Sequence, residues 1–505
     1  MFAEISSVSL FGLHGIKVGV EADIQSGLPS FEIVGLPASA VREAKERVRS
    51  AILNSGFEWP RSRITVSLTP ADFRKEGSGM DLPIAVAILA SSEQILPVNK
   101  HAVLLGELAL DGTVRAFRGL YAAASFAVEA DSPLVIMPES DDEDALASST
   151  LLTVINLTEA IAALQGRFPP KRQAVVRTPE ASSGTGMDYS EVMGHETVKR
   201  ILEIAAVGRH HLIMYGPPGS GKTMLAERLT SILPPLCPTE RSEVKKIYSV
   251  AGFPYSDGYE RPFRSPHHTI SVSGLLGGGS MPRPGEVSLA HHGVLFLDEL
   301  PEFSRRAIEG LRQPLSTGEI TISRALYSYT FPSHFQLIAA LNPCPCGYYG
   351  SSDHPCTCSQ QSVEQYQKKL SNPILDRIDL SIWVDTVQIM NILGSSPSAV
   401  ATSTAIRERV IKARSFAAMS ERERDVQKVV GVHRIQRMAM DSDATAALIR
   451  FADSRHMSMR AVDKLAGVAR TIADMEESEW IRKEHLYESM QYRILQAGEQ
   501  LEHSS

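Results

Sequence analysis

Cysteine is scarce: the 505-residue chain has five, and four of them sit within residues 344–358. So few thiols exclude a small scaffold stapled by disulfides, and with no export signal they predict a reducing, cytoplasmic setting. The opening residues, MFAEISSVSLFG, lack the basic-then-apolar order of a signal peptide. No apolar run approaches the ~20 residues that span a bilayer, since LPIAVAILA at 82–90 gives way at once to SSEQ. Positive charge is not in surplus either: Lys and Arg number 51 against 58 Asp and Glu, for a formal net charge of −7. That excludes a polycationic nucleic-acid binder, so any such contact has to come from a local basic surface or channel. Internal repeats and low-complexity tracts are also missing.

What is present divides into blocks. A chain of this length outgrows one core and suggests roughly three or four domains. Residues 1–166 mix β-rich runs (IKVGVEADI, RITVSLTP, HAVLLGEL, PLVIMPE) with helical ones (ASAVREAKERVRSAILNSG, GLYAAASFAVEA), which predicts an α+β domain. Residues 167–188, rich in Pro, Ser, Gly and charge, read as a linker. From 189 to 386 the runs HLIMY, GVLFLDE, FQLIAALN and DLSIWVD alternate with helices and are apolar on both faces, as in an α/β domain with a helix-covered parallel sheet. Residues 387–505 carry only helical patterns, from about 402 onward.

The strongest motif is GPPGSGKT, comprising Gly216, Pro217, Pro218, Gly219, Ser220, Gly221, Lys222 and Thr223. It lies between HLIMY and KTMLAERLTSIL, the strand–loop–helix setting that a phosphate-binding loop requires. Glycines let backbone N–H groups wrap phosphate oxygens, and the helix N-terminus adds partial positive charge. Lys222 would reach the β- and γ-phosphates of ATP, and the Thr223 hydroxyl would hold Mg²⁺. Downstream, GVLFLDE ends in two acids. Asp298 fits the Mg²⁺-side carboxylate and Glu299 the base that polarises attacking water. FQLIAALN ends on Asn342, an amide at the tip of a buried strand between loop and acids, placed to orient that water. Arg377 precedes the next apolar run. Arg460 falls in the first helical turn after Ser458, the expected N-cap. A cation there opposes the helix dipole at a cost of roughly a few tenths of a kcal/mol, a hint of an anionic partner.

Taken in order, these motifs resemble the AAA+ ATPases of the magnesium-chelatase clade, most closely the ComM/YifB family. The resemblance covers nearly the whole chain: DYSEVMG (188–194), GPPGSGKT, KIYSVAG (246–252), RPFRSPHHTISVSGLLGGG (261–279), LAHHGVLFLDELPEF (289–303), RQPLSTGEITISRA (312–325), AALNPCPCG (339–347) and ILDRIDL (374–380). It implies an AAA+ P-loop core with a helical lid. It assigns Asn342 as sensor 1, Arg377 as the arginine finger given to a neighbouring subunit and Arg460 as sensor 2. A finger acting in trans implies a ring, a hexamer, with ATP between subunits and no membrane partner. The activity implied is DNA branch migration, with branched or single-stranded DNA threaded through the pore during recombination of incoming DNA in natural transformation, alongside recombination proteins. Rival readings are a chelatase-type motor that remodels a protein and a Lon-type protease.

The first block resembles the catalytic domain of Lon protease, a ribosomal-protein-like fold. In the resembling pattern the nucleophilic serine would stand where Gly79 is, with Ser78 one place early, and the lysine base where Tyr121 is. Tyrosine is a poor base at neutral pH, so an inactive domain is expected.

Cys344, Cys346, Cys356 and Cys358 form two CxC pairs nine residues apart. Four thiolates suit a tetrahedral Zn²⁺ knuckle that would pin the chain leaving Asn342. CxC is a rarer ligand spacing than CxxC, and a metal-free loop of reduced thiols stays open. His354 is a spare ligand, and Cys237 is expected in the core. His267-His268 and His291-His292 are expected to be structural or ring-lining, since neighbours on a strand point to opposite faces. SVSGLLGGGSMPRPGEV should project as a mobile hairpin, and GEITISRALYSYTF should form strands around a turn near Arg324. The resemblance aims both inserts at the pore and makes Arg283 and Arg324 candidates for phosphate contact. Residues 406–437 hold nine Lys/Arg against four Asp/Glu, a pattern that a solvated helix face explains equally well.

Overall fold

Strand Phe2–Phe11 reverses at Gly12, whose φ of +63° lies in the left-handed region, and returns as His14–Gln25. A computed structural model describes residues 1–75, 77–96, 101–140, 150–167, 187–255, 259–279, 282–323, 328–351, 354–386, 401–419 and 432–493. The chain forms two units: residues 1–180 with 238–258 and 323–331, and residues 181–237 with 259–322 and 332–505.

In the first unit seven strands run in the order Ser30–Val34, Arg63–Thr69, His14–Gln25, Phe2–Phe11, Val103–Leu104, Val135–Pro138, Leu151–Val154. The central pairs are antiparallel and the outer ones parallel. Arg63–Thr69 alternates as a half-buried strand should, placing Ile64, Val66 and Leu68 inside. Helix Ser39–Asn54 buries Val41, Ala44, Val48, Ala51 and Ile52 at helical spacing, whereas Asp81–Ser91 is apolar on nearly every side and correspondingly buried. Helix Pro238–Ala251 belongs here too, as do residues 323–331, although the sequence places both within 189–386. The helix's Ser249 carbonyl accepts the Gly119 N–H at 3.0 Å, and Lys246 pairs with Glu129 at 2.6 Å.

The second unit holds a five-stranded, all-parallel sheet in the order Phe263–Arg264, Val294–Leu297, Gln336–Leu341, Leu212–Tyr215, Leu380–Trp383. The three central strands are buried at every residue, which explains their lack of alternation. Leu202, Leu225, Leu229, Ile338, Val410 and Ile472 share one core, so helices after 402 pack with the sheet and residue 386 marks no break between units. Asp188 accepts the Ser403 N–H at 3.1 Å, while the Ser403 Oγ accepts the Tyr189 N–H at 2.9 Å, tying the entry segment to helix Ser403–Met419. Among the described residues no helix is long and apolar enough to cross a membrane.

Several expectations need correction. Cys237 is exposed, because its neighbour Leu236 takes the inward position by donating to the Tyr259 carbonyl. Neither histidine pair lies on a strand: both occupy turns or irregular backbone, and their rings approach to 4.1 Å (His267-His268) and 3.9 Å (His291-His292). The glycine-rich insert opens with helix Val272–Leu276, whose Leu275 is buried, before a Gly278–Arg283 bridge closes a small loop. The insert is anchored at its base, and residues 280–281 at its tip lie outside the described residues. Strands Glu319–Ser323 and Ser328–Pro332 are present, but Arg324, most of the linker and residues 420–431 lie outside the described residues. In the rest of the basic stretch the cations have partners inside the unit: Arg409 with Glu203, Lys412 with Glu477, Arg434 with Asp463, and Arg407 on the Ser231 carbonyl.

Candidate nucleotide site

Parallel register assembles this site. Tyr215 lies opposite Leu341, so the phosphate loop and Asn342 leave neighbouring strands side by side. Leu297 pairs with Ala339 on the other flank, delivering Asp298 and Glu299 to the same sheet edge. Gly219 and Gly221 have φ of +78° and +86°, a backbone that only glycine adopts freely, and Gly221 caps helix Lys222–Ile232. A Cβ on Gly216 would lie 2.2 Å from the Val384 carbonyl oxygen, so the loop's first position tolerates no side chain.

Lys222 is buried, its Nζ donating to the Gly216 and Pro217 carbonyls at 2.9 and 2.8 Å, with Asn342 Oδ1 at 3.4 Å. Burial pulls its ammonium down to about 8, against the opposing attraction of Asp298. Thr223 Oγ1 donates to Asp298 Oδ2 at 2.8 Å, joining the hydroxyl and carboxylate that would share Mg²⁺. Asp298 Oδ1 accepts the Glu299 N–H at 2.9 Å. Glu299 holds φ of +52°, an unusual conformation for its type and a mark of a constrained site.

Sequence reasoning missed one partner. His268 Nδ1 lies 3.2 Å from Glu299 Oε2, and its ring meets Phe303 edge-on. The strand Phe263–Arg264 pairs with Val294–Leu297, so the segments leaving both strands converge. A two-residue strand carries no periodicity, and the HH pair alone gave no direction.

Arg377 is elsewhere in its chain: Nε donates to Ser316 Oγ at 2.7 Å and to the Arg312 carbonyl at 3.2 Å, and Nη1 to the Pro373 carbonyl at 2.6 Å. Burial lowers its pKa, and so does the repulsion of Arg460 and Arg312. The carboxylates Asp376 and Glu309 oppose this, and Glu309 pairs with Arg312 at 2.6 Å. Ser458 caps helix Met459–Met475 by accepting the Ala461 N–H, which leaves Arg460 exposed in the first turn. Arg283 is exposed, its backbone bridged to Gly278.

The four thiols converge. Cys344 Sγ stands 3.3 Å from Cys346 and 3.7 Å from Cys356, Cys346 lies 3.5 Å from Cys356, and all four sulfurs fall within 4.8 Å of one another. Disulfide sulfurs would be about 2.05 Å apart, whereas four ligands at about 2.3 Å from zinc would stand about 3.8 Å apart. Cys344 Sγ also accepts the Tyr349 N–H at 3.3 Å and Cys356 Sγ the Cys358 N–H at 3.4 Å. Burial raises the Cys346 thiol, but backbone N–H groups of Tyr348 and Thr357 outweigh it and bring it to about 5. Burial and the neighbouring Cys346 and Cys344 push Cys356 up to about 12. Crowded thiolates oppose one another without a cation. His354 is exposed against Tyr348, outside the cluster.

In the first unit Ser78 Oγ donates to the Glu107 carboxylate, so it faces an acid and no amine. A Cβ at Gly79 would strike the Phe117 ring at 2.5 Å, and buried Tyr121 donates its hydroxyl to Ser242 at 3.3 Å. The buried Lys75 spends its ammonium on the Pro70 and Phe73 carbonyls.

Comparison with known proteins covers both units. Residues 188–392 match the family model described as magnesium chelatase, subunit ChlI; residues 400–493 match its C-terminal model, and residues 20–141 one described as subunit ChlI of Mg-chelatase. The chain is 40% identical to the YifB protein of Salmonella typhimurium over 98% of its own length and 97% of that protein's. It is 40% identical to Escherichia coli YifB over 96% and 95% of the two chains, and 39% identical to the competence protein ComM of Haemophilus influenzae over 98% and 97%. With such similarity along nearly its full length, the chain belongs to the ComM/YifB family of magnesium-chelatase-like AAA+ proteins.

Proposed function

We propose that the chain is an ATP-hydrolysing ring motor, hexameric and cytoplasmic, that drives DNA branch migration when incoming DNA recombines. The observation that carries the motor reading is a nucleotide site complete on one side only. Lys222, Thr223, Asp298, Glu299 and Asn342 meet at one sheet edge, while Arg377 is held away from them by the Ser316 hydroxyl and the Arg312 and Pro373 carbonyls. ATP with Mg²⁺ supplies the phosphoanhydride and the cation that neutralises its charge. Lys222 would turn from the loop carbonyls to the phosphates, and Thr223 and Asp298 would hold the metal. Glu299, steadied by His268, takes the proton of the attacking water, and Asn342 orients that water. A neighbour's Arg377 meets the charge that develops on transfer.

DNA as the substrate rests on the resemblance to a protein named for competence. Zn²⁺ in the cysteine knuckle belongs to this reading, supported by sulfur separations of 3.3, 3.5 and 3.7 Å among Cys344, Cys346 and Cys356 and by all four sulfurs lying within 4.8 Å of one another. ATP turnover measured with single-stranded, duplex and four-way DNA tests the assignment; stimulation strongest on branched DNA and steeply salt-dependent is expected. A chelatase-type remodelling role is the second reading, favoured by the family descriptions, and turnover indifferent to every DNA would select it. Peptidase activity is not expected, because Ser78 faces Glu107. Casein cleavage that vanished in Ser78→Ala would overturn that.

A further inference from the structure

The cysteine knuckle touches the nucleotide site at two points. Gly347, at φ of +85°, closes the first turn by donating its N–H to the Cys344 carbonyl at 3.0 Å. A methyl group built on Gly347 would lie 2.6 Å from Pro218 Cδ, so the turn presses directly on the ring of a phosphate-loop residue. On the other side Pro345, between the first two cysteines, lines a cleft of about 580 Å³ with Glu299, Asn342, Tyr366 and Lys369. The Pro343 carbonyl accepts Gln367 Nε2 at 3.3 Å, which ties the chain between Asn342 and Cys344 to helix Gln360–Gln367.

We propose that a metal ion held by Cys344, Cys346, Cys356 and Cys358 acts as a brace for the phosphate loop, so that metal occupancy and nucleotide binding strengthen each other. The inference rests on the zinc reading given above and adds the coupling. Without a cation no metal bond ties Cys356 and Cys358 to the turn that holds Cys344 and Cys346, so the turn at Gly347 loses its fixed position and Pro218 loses its support. None of the four sulfurs touches nucleotide in this scheme. The coupling is reciprocal by linkage: nucleotide seated on the loop must hold the metal more tightly by the same factor.

Two measurements test it on the full chain. In the first, protein purified without chelator is assayed for metal, then exposed to a chromophoric zinc chelator with and without a non-hydrolysable ATP analogue and Mg²⁺. About one zinc per chain is expected, released at least several-fold more slowly when nucleotide is bound. In the second, affinity for a fluorescent nucleotide is measured in Cys358→Ser and in Cys358→His, which keeps a zinc ligand. The serine variant should bind about tenfold more weakly and the histidine variant should recover most of the loss. Zinc present, with release indifferent to nucleotide and affinity indifferent to zinc, overturns the brace and leaves the metal site standing. Absence of metal overturns both, while the ATPase reading would be judged separately by turnover in Lys222→Ala. If Cys358→Ser fails to fold, the chelator experiment on the unaltered chain decides alone.

Discussion

Replacing Arg377 by alanine separates two roles that differ in size. Within its own chain the guanidinium makes three hydrogen bonds, to Ser316, Arg312 and Pro373. At about 1 kcal/mol each, their loss would cost about 3 kcal/mol of stability at most, visible as a lower denaturation midpoint with normal turnover per folded molecule. A guanidinium that completes a neighbour's site gives a different signature. Losing it should cut turnover by ~10³–10⁵, about 4–7 kcal/mol of activation free energy, with little change in nucleotide affinity. Arg377 bonds to a hydroxyl and two carbonyls, so its guanidinium carries a charge that none of these partners neutralises, which favours the second outcome.

Subunit mixing distinguishes the two directly. Arg377→Ala keeps Glu299, and Glu299→Gln keeps Arg377, so each alone assembles only dead sites. In a head-to-tail ring mixed at random, roughly a quarter of interfaces would pair an intact Glu299 with an intact Arg377. Turnover should therefore reappear on mixing. Proven co-assembly with no recovery, or an Arg377→Ala chain that turns over normally, would refute the shared site.

Other outcomes follow from the same geometry. Lys222→Ala should abolish tight nucleotide binding, whereas Glu299→Gln should bind nucleotide and not hydrolyse it, a contrast that equilibrium binding and phosphate release resolve. His268→Ala should lower kcat by about tenfold with KM nearly unchanged, since His268 contacts Glu299 alone among the proposed catalytic groups; an unchanged kcat would reduce the 3.2 Å contact to packing. His211 Nδ1 accepts the Leu337 N–H at 3.0 Å, and burial pulls the ring down to about 4. The native state thus binds fewer protons than the unfolded chain between pH 4 and an ordinary histidine value of about 6.5. Stability from this group is complete above that window and is lost as pH falls through it. His211→Asn should flatten that part of the pH–stability curve measured by urea unfolding.

Much of the nucleotide site was legible because its chemistry is local. Eight loop residues, two acids and an amide each close an apolar run, and parallel register does the rest by placing strand ends at one edge. His268 was illegible for the converse reason: its contact depends on an edge strand of two residues, too short to print a period. The thiols announced a cluster by number, but their link to the loop runs through a glycine whose lack of a side chain says nothing until Pro218 is seen against it. Positive charge in 406–437 misleads when counted, since Arg407, Arg409, Lys412 and Arg434 are each paired within the unit. Cys237 misled because residue type was weighed alone: the neighbouring Leu236 is the buried one and Cys237 is exposed.

The membership of helix Pro238–Ala251 in the first unit has its own consequence. Composition puts a boundary at 166, yet this helix covers helix Leu120–Glu129. Ser249 accepts the Gly119 N–H and its hydroxyl the Tyr121 N–H at 3.2 Å, Ser242 accepts the Tyr121 hydroxyl, and Lys245 lies 5.7 Å from the Tyr121 ring centre. Tyr121 is 2% exposed and Leu120 4%. A chain cut at 166 would uncover part of both, which also pack on Val8, Val103 and Val135; full exposure would cost about 1.5–3 kcal/mol for each side chain, and three hydrogen bonds worth about 1 kcal/mol apiece would be forfeited. About 3 kcal/mol from the hydrogen bonds, with up to about 6 more from the side chains, is a large part of a typical domain's stability. Residues 1–166 alone should therefore unfold at a much lower urea concentration than the same residues in the full chain, followed by hydrogen exchange in helix Leu120–Glu129. Adding residues 238–252 through a flexible linker should restore most of the difference. Equal midpoints with and without the helix would show that it merely rests on a unit already complete.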